Sequence, residues 1–408
     1  MATASLPKNI TLPALAHALG EAGALDGDWP ELVINFAAGA FVDVGAITFL
    51  CSWAAARSAE GRRIHLRGDS DVLGYLERID LYMQLNIAHD LRKRQDETGR
   101  FLPIKRIASS DDVFATVNAL CDLVLHQFDN SREFVGALEW AANEIIDNIL
   151  IHSETRVPGA VCAQYFPVRH RLDIGICDLG RGIKASLGTT RHIWSHGDAV
   201  TTALKRGVTR DQSIGQGNGM AGSLEIATLN GGAFEVWTGD VVFRVDEGIK
   251  KGFTKIPELP GTGIMFSLDT RRPVDLTATW IANGDWTFIN AEAQRLSESG
   301  GFDVAAACVN TGSRPPAERL RRKLLTLLPE MAGPLRLDFS MVRSASSSFL
   351  DELLGRMVQD HELGEGLFES RIQIEGMDPT IRKMANVVIA QRLGRIPLDV
   401  TTETDRTE

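Results

Sequence analysis

Four short stretches organise this 408-residue sequence: NEIIDNILIH (143–152), DLGRGI (178–183), GQGNGMAG (215–222) and GTGIMFSL (261–268). The first ends a run, SREFVGALEWAANEIIDNILIHSE, whose apolar residues recur at three- and four-residue steps, as they do on a helix with one buried face. Glu144 and Asn148 lie four apart on it and share a face, flanked by Asp147 and His152. A second such run, DDVFATVNALCDLVLHQF, precedes it, and Ser110-Asp111 and Asn130-Ser131 supply N-caps. Strands follow: AVCAQYFPV, RLDIGICDLG, GGAFEVWTG, VVFRV and GTGIMFSLDT. Helices first and a meander of strands afterwards predict an α+β sandwich over residues 105–270.

Each stretch alone is common. A helical Glu and Asn four apart is most often a solvated pair, and glycine-rich turns after strands abound. All four in this order resemble the GHKL ATPase family of gyrase, heat-shock chaperones, histidine kinases and MutL. That resemblance implies ATP and Mg²⁺ as ligands. Mg²⁺ prefers oxygen donors and keeps several waters, so Asn148 would supply it one carbonyl oxygen. Glu144, one turn earlier, would orient a nucleophile near the γ-phosphate. Asp178 would accept a hydrogen bond from the adenine amino group, the role of this position in the family, while Gly180 and Gly182 admit the base. Gly215, Gly217 and Gly219 would open a helix whose N–H groups cradle phosphates, and Thr262 would support the adenine through water. The stretch GTTRHIWSHGDAVTTALKRGVTRD (188–211) stands where the family has its ATP lid. His192 and His196 are expected there as exposed loop residues, and Lys205 or Arg206 as a phosphate contact.

Outward from this centre the pattern changes to strands alternating with helices, the mark of βαβ units. ELVINFAAGAF (31–41) reads as a strand, GAITFLCSWAAARSAEG (45–61) as a helix, RRIHLRG (62–68) as a strand and SDVLGYLERIDL as a helix. LRKRQDETGRFLPIKR reads as a connector. After residue 300, FDVAAACV, PLRLDFSMV and RIQIEG read as strands, with helices over PPAERLRRKLLTLLPEM, SSFLDELLGRMVQD and DPTIRKMANVVIAQRL. The two flanks share a layout and are expected to be two diverged copies of one small α/β fold. The predicted class is therefore α/β and α+β multidomain: a central sandwich (105–270) between small domains at 1–100 and 275–400, with a polar, disordered tail at 401–408.

Both flanks resemble the STAS domain of anti-sigma-factor antagonists. In regulatory members a serine follows an Asp at a helix start and is phosphorylated. The first flank reads Asp43-Val44-Gly45-Ala46 there and lacks the hydroxyl, which implies a docking or structural copy. The third has Ser346, Ser347 and Ser348, with Ser347 at the acceptor position. A serine at a helix start is first of all an N-cap, although a phosphate there would meet helix N–H groups that favour an anion.

A net charge of −10 argues against a general nucleic-acid binder, since affinity for phosphate backbones needs surplus Lys and Arg. The two basic stretches, Arg92–Arg106 and Arg314–Lys323, are expected to be solvated faces. No apolar window has the length of a membrane span, and MATASLPKNITLPAL lacks the layout of a signal peptide. The five cysteines are scattered without CxxC spacing and read as buried thiols of a cytoplasmic protein.

Pairing a GHKL-like domain with STAS-like domains suggests a partner switch, because bacterial GHKL serine kinases phosphorylate STAS proteins on that turn. The expected function is an ATP-dependent regulatory protein acting with a STAS-type or sigma-factor regulator, with a homodimer as one expected state. The alternatives are a conformational ATPase in which Glu144 activates water, and an ATP-dependent binding module. A sensor histidine kinase fits less well, because His126 sits among apolar neighbours and no membrane sensor is present.

Overall fold

The computed structural model describes residues 1–87, 99–125, 132–155, 157–208, 218–246, 249–274, 296, 301–308, 310–331, 333–359 and 363–395. They fall into two compact units, Met1–Leu123 with Gly136–Gly284, and Val124–Val135 with Asp285–Glu408.

The first unit opens with β1 (Ala2–Leu6), β2 (Asn9–Ile10), α1 (Leu12–Glu21), β3 (Glu31–Phe36), β4 (Phe41–Val42), α2 (Val44–Ala59), β5 (Arg63–Arg67), α3 (Ser70–Arg78) and α4 (Leu81–Gln84). Strands β1, β3 and β5 form a parallel sheet in that order, each leading to a helix. The three helices begin at Thr11, Asp43 and Asp69, whose side chains accept from Ala14, Ala46 and Val72 N–H groups and satisfy first-turn donors. The strand expected over 31–41 is divided. The chain turns after Phe36, with the Ala40 N–H on the Ala37 carbonyl and Gly39 at φ +64°, and β4 then pairs with β2.

Next come β6 (Phe101–Ile107), α5 (Ser110–Leu125), α6 (Arg132–His152), β7 (Gly159–Phe166), β8 (Arg171–Asp178), α7 (Gly182–Gly188), α8 (His196–Ala203), α9 (Gly219–Asn230), β9 (Ala233–Asp246) and β10 (Ile249–Asp269). The strands make an antiparallel sheet ordered β6-β7-β8-β10-β9. The two strands expected within 231–245 are one, β9, and α8 lies within the segment 188–211, where loop residues were expected.

α2 shares a core with this sheet. Its residues Val44–Ala54 are all buried, as befits a helix apolar on every side. Phe49 meets Trp237 of β9 edge to face at 5.3 Å, and Cys162, Cys177 and Met265 belong to the same cluster. Gly175 of β8 makes the approach possible, since a Cβ there would lie 2.4 Å from the Val44 carbonyl oxygen. The Tyr75 hydroxyl donates to Gln164 of β7 at 2.7 Å, and Ile104 N–H to the Ile79 carbonyl at 3.0 Å. All five cysteines are buried and unbridged, and burial raises the thiol pKa of Cys51, Cys121, Cys162 and Cys177.

The second unit holds a parallel sheet of β11 (Phe302–Asp303), β12 (Leu335–Asp338) and β13 (Ile372–Glu375), in that order. Helices Arg314–Leu327 and Pro379–Arg392 follow β11 and β13; after β12, helix Ser347–Leu350 runs through a π-helical Asp351–Gly355 into Arg356–Val358. The topology repeats that of β1, β3 and β5. The strand expected over FDVAAACV stops at Asp303, whose carboxylate accepts from Ala305 and Ala306 N–H groups and starts a helical turn, Val304–Ala307. Helix Gly364–Arg371 had no sequence expectation. The basic run 314–323 is not wholly solvated: Arg321 and Lys323 are buried, and Glu352, itself buried, takes Arg314, Arg321 and Arg356. Arg92–Arg94 and the tail 401–408 lie outside the described residues. Among those described, no helix is long and apolar enough to cross a membrane.

Candidate functional site

β8 ends at Asp178, and the chain then folds back on it. The Asp178 carboxylate accepts from Gly180 N–H at 2.7 Å and from Thr262 N–H. Burial dominates its electrostatics and raises its pKa to about 7 in spite of these two donors. A Cβ on Gly180 would lie 2.0 Å from the Ser153 carbonyl oxygen, just past the end of α6. Arg181 N–H donates to that same oxygen at 2.8 Å, and the Arg181 guanidinium pairs with Glu154. The glycine at 180 is thus a requirement of close packing between this loop and α6. Gly182, at φ +74°, is required by conformation. Thr262 pairs in register with Asp178 on one side and Thr238 on the other, so the three side chains share one face of the sheet.

Within α6, two turns before its C-terminal end, Glu144 reaches the start of α9. A Cβ on Gly219 would stand 2.6 Å from the Glu144 Oε2 and 3.1 Å from its Cβ. Desolvation, and then the Asp147 charge, raise the Glu144 pKa. Asn148 lies one turn further along, half-buried. The first turn of α9 offers N–H groups beyond the reach of intrahelical bonds. Gly215 and Gly217 lie outside the described residues; Gly219, from the same stretch, is the first residue of α9. The structure therefore brings together Glu144 with Gly219, and Asp178 with Gly180, Gly182 and Thr262, with α6 running between the two groups. Among the described residues no three His, Cys, Asp or Glu side chains are grouped to hold a metal. A cation here would take an oxygen from Asn148 and fill its sphere from a ligand and water.

His196 corrects the expectation of an exposed loop histidine. It is the first residue of α8, only 19% exposed at its side chain, and its Nδ1 accepts from Asp240 N–H at 2.9 Å. An acceptor Nδ1 places the ring proton on Nε2 in the neutral form. Lys255 pairs with Asp240 beside it. His192 keeps its place on the surface, with its ring edge-on to the exposed Trp194 at 4.0 Å. Arg206 pairs with Glu225 of α9 at 3.1 Å, and Gly207 N–H donates to Asn218 Oδ1 at 3.0 Å, so residues either side of 209–217 are tied together. His126 lies outside the described residues.

In the second unit the cap of the helix after β12 is Ser346, whose hydroxyl accepts from Phe349 N–H at 3.0 Å. Ser347 is the first helical residue and is exposed. The matching position in the first unit is Val44, buried on the five-stranded sheet.

Two residues of the site had escaped notice in the sequence. Ser153 follows the helix block and looks like an ordinary cap, and Thr238 sits inside the strand stretch GGAFEVWTG. Neither has a local signal, because their partners are 28 and 55 positions away or similarly remote.

Residues 316–382 match the STAS-like domain of unknown function (DUF4325). The second unit carries a STAS-like domain. The match takes in most of the helix Arg314–Leu327, β12, β13 and the start of the last helix. A search of the curated proteins finds no match to this chain.

Proposed function

We propose that the first unit binds Mg²⁺-ATP in the manner of the GHKL family, and that the protein is a serine-kinase-like partner switch. The observation that carries this reading is the use of α6 as a ruler. Glu144 meets Gly219 at one point of the helix axis and Ser153 meets Gly180 nine residues further on, about 13 Å at the usual rise per residue. That separation suits a nucleoside triphosphate. Its base would lie against Asp178, Gly180 and Thr262, and its phosphates at the first turn of α9.

In this arrangement Asp178 receives the adenine amino group and Asn148 gives Mg²⁺ one oxygen. Glu144 takes a proton from the attacking hydroxyl. Its raised pKa brings it nearer the working pH, which favours a general base. The exposed Ser347, on a helix start of the STAS-like domain, is the candidate acceptor. A STAS-type or sigma-factor regulator supplied in trans is the alternative substrate, and a homodimer is the state in which one chain would serve another.

Peptide mass spectrometry after incubation with Mg²⁺-ATP tests the reading, with Asn148→Ala as control. Phosphate on Ser346–Ser348, absent from the control, supports an autophosphorylating serine kinase. ADP without phosphopeptide supports a conformational ATPase, and neither ADP nor bound nucleotide overturns the ATP reading.

A further inference from the structure

We infer that Thr238 is the positioning residue that sets base recognition at this site, an inference that rests on the nucleotide reading above. Thr238 is 1% exposed, and both bonds that its hydroxyl makes are directed at the glycine turns around Asp178. Thr238 Oγ1 accepts from Ile183 N–H at 3.2 Å and donates to the Gly261 carbonyl at 3.1 Å. The first bond satisfies a first-turn donor of α7, which α7 cannot satisfy itself. The second holds the turn that leads into Thr262.

The contacts around it are tight. A Cβ on Gly182 would come within 2.9 Å of Thr238 Oγ1 and 3.2 Å of the Gly261 oxygen, and a Cβ on Gly261 within 2.0 Å of the Asp178 carbonyl oxygen. Both glycines have positive φ, +74° and +83°, so each turn holds a shape that few other residues adopt. One hydroxyl therefore clips together three segments: the Gly180–Ile183 loop, the Gly261–Thr262 turn and β9. Asp178 and Thr262 present their polar atoms in a fixed relation because these segments do not move separately. The only hydrogen of the Thr238 hydroxyl is already donated, so it cannot donate to a ligand, and at 1% exposure its oxygen is covered by these segments. It acts through its neighbours and is not itself a catalytic residue.

The base end should then depend on Thr238 and the phosphate end should not. Isothermal titration of the full chain with ATP, GTP and inorganic tripolyphosphate, each with Mg²⁺, separates the two. Thr238→Val keeps the shape and removes both bonds. The expected result is an ATP affinity at least tenfold weaker, an ATP preference over GTP reduced to near unity and unchanged tripolyphosphate affinity. Thr238→Ser, which keeps both bonds, should retain the wild-type preference. Were Thr238→Val unfolded at the assay temperature, Thr238→Cys, with a weak donor and acceptor in the same place, would replace it. A general loss of packing would weaken all three ligands alike and would overturn the inference, as would an unchanged ATP preference in Thr238→Val. A wild-type protein that binds neither nucleotide overturns the reading of the site itself, and this inference with it.

Discussion

Asp43 and Ser346 occupy the same place in two separate three-stranded parallel folds. Each caps the helix that follows the middle strand, the Asp43 carboxylate accepting from Ala46 N–H at 2.7 Å and the Ser346 hydroxyl from Phe349 N–H at 3.0 Å. Each backbone N–H is held by the segment after the first strand of its sheet, on the Ile10 carbonyl of β2 at 3.0 Å and the Thr311 carbonyl at 2.9 Å. The difference lies in what covers the helix start. Val44, after Asp43, is buried on the five-stranded sheet, and Ser347, after Ser346, is exposed. The first copy has its helix start packed away; the second leaves it open.

Ser346 and Ser347 should therefore separate stability from modification. Ser346→Ala removes the cap and should destabilise the second unit by about 1 kcal/mol in urea denaturation. Ser347→Ala, exposed and not a cap, should stay within about 0.5 kcal/mol of wild type. Equal losses for both would show that the capping assignment is wrong.

Asp43 predicts a pH-dependent interface between α2 and the sheet. Burial raises its carboxyl pKa to about 7, and the charges of Glu235 and Asp173 push the same way, against Arg244 and the Ala46 N–H. Arg171 pairs with Asp173 and Arg244 with Glu235, so a neutral Asp43 leaves these buried carboxylates balanced. The folded state binds this proton more tightly than the unfolded state. Its contribution is full below the unfolded pKa of about 4 and is lost as pH rises through about 7. Asp43→Asn keeps a capping oxygen and should be more stable than wild type at pH 8, on the order of 2 kcal/mol, with the gain shrinking toward pH 5. Denaturation at the two pH values checks it, and a variant less stable than wild type at pH 8 would refute it.

Asp178 makes a separate prediction for affinity. Its pKa of about 7 means that much of the free protein carries a proton there below neutrality. An adenine amino group needs the carboxylate as acceptor, so binding ATP should release that proton. ATP affinity should rise as pH goes from 6 to 8, by up to about tenfold per unit below the pKa. Calorimetry in two buffers of different ionisation enthalpy would reveal the released proton. Asp178→Asn should bind more weakly and lose the pH dependence.

Glu144 and Gly219 should behave as one unit. Glu144→Gln should keep ATP binding and lose about 100-fold or more in turnover. Gly219→Ala places a methyl 2.6 Å from the Glu144 Oε2, the flexible end of a side chain, so the fold should tolerate it while the carboxylate shifts. Its turnover should fall as far, and the double variant should be no worse than either single one. Additive losses would mean that the two residues act independently.

Much of the fold was legible from local chemistry. The runs of apolar residues at three- and four-residue steps placed α5 and α6, and the alternation of strand and helix patterns placed α2 and α3, because these signals act within a few residues. The four glycine- and acid-bearing stretches were legible for the same reason. What failed was long-range. The division of ELVINFAAGAF followed from β4 pairing with β2, thirty residues upstream or more, and His196 was held by Asp240 from a strand that only the fold brings near. Arg321 and Lys323 looked like solvated charges until Glu352 and the rest of the second unit closed over them.

The amino-acid sequence by itself determined which residues were chemically able to form a site and the two α/β patterns around it. Helix periodicity, turn glycines and capping side chains are properties of neighbours in the chain. Only the tertiary structure decided that α2 shares the core of the five-stranded sheet, that Ser153 and Thr238 hold the glycine turns, and that Val44 is covered while Ser347 is open. Those outcomes depend on close approach between distant segments. Glycines at 175, 180 and 219 permit that approach, and burial then changes the charge state of Asp43 and Asp178.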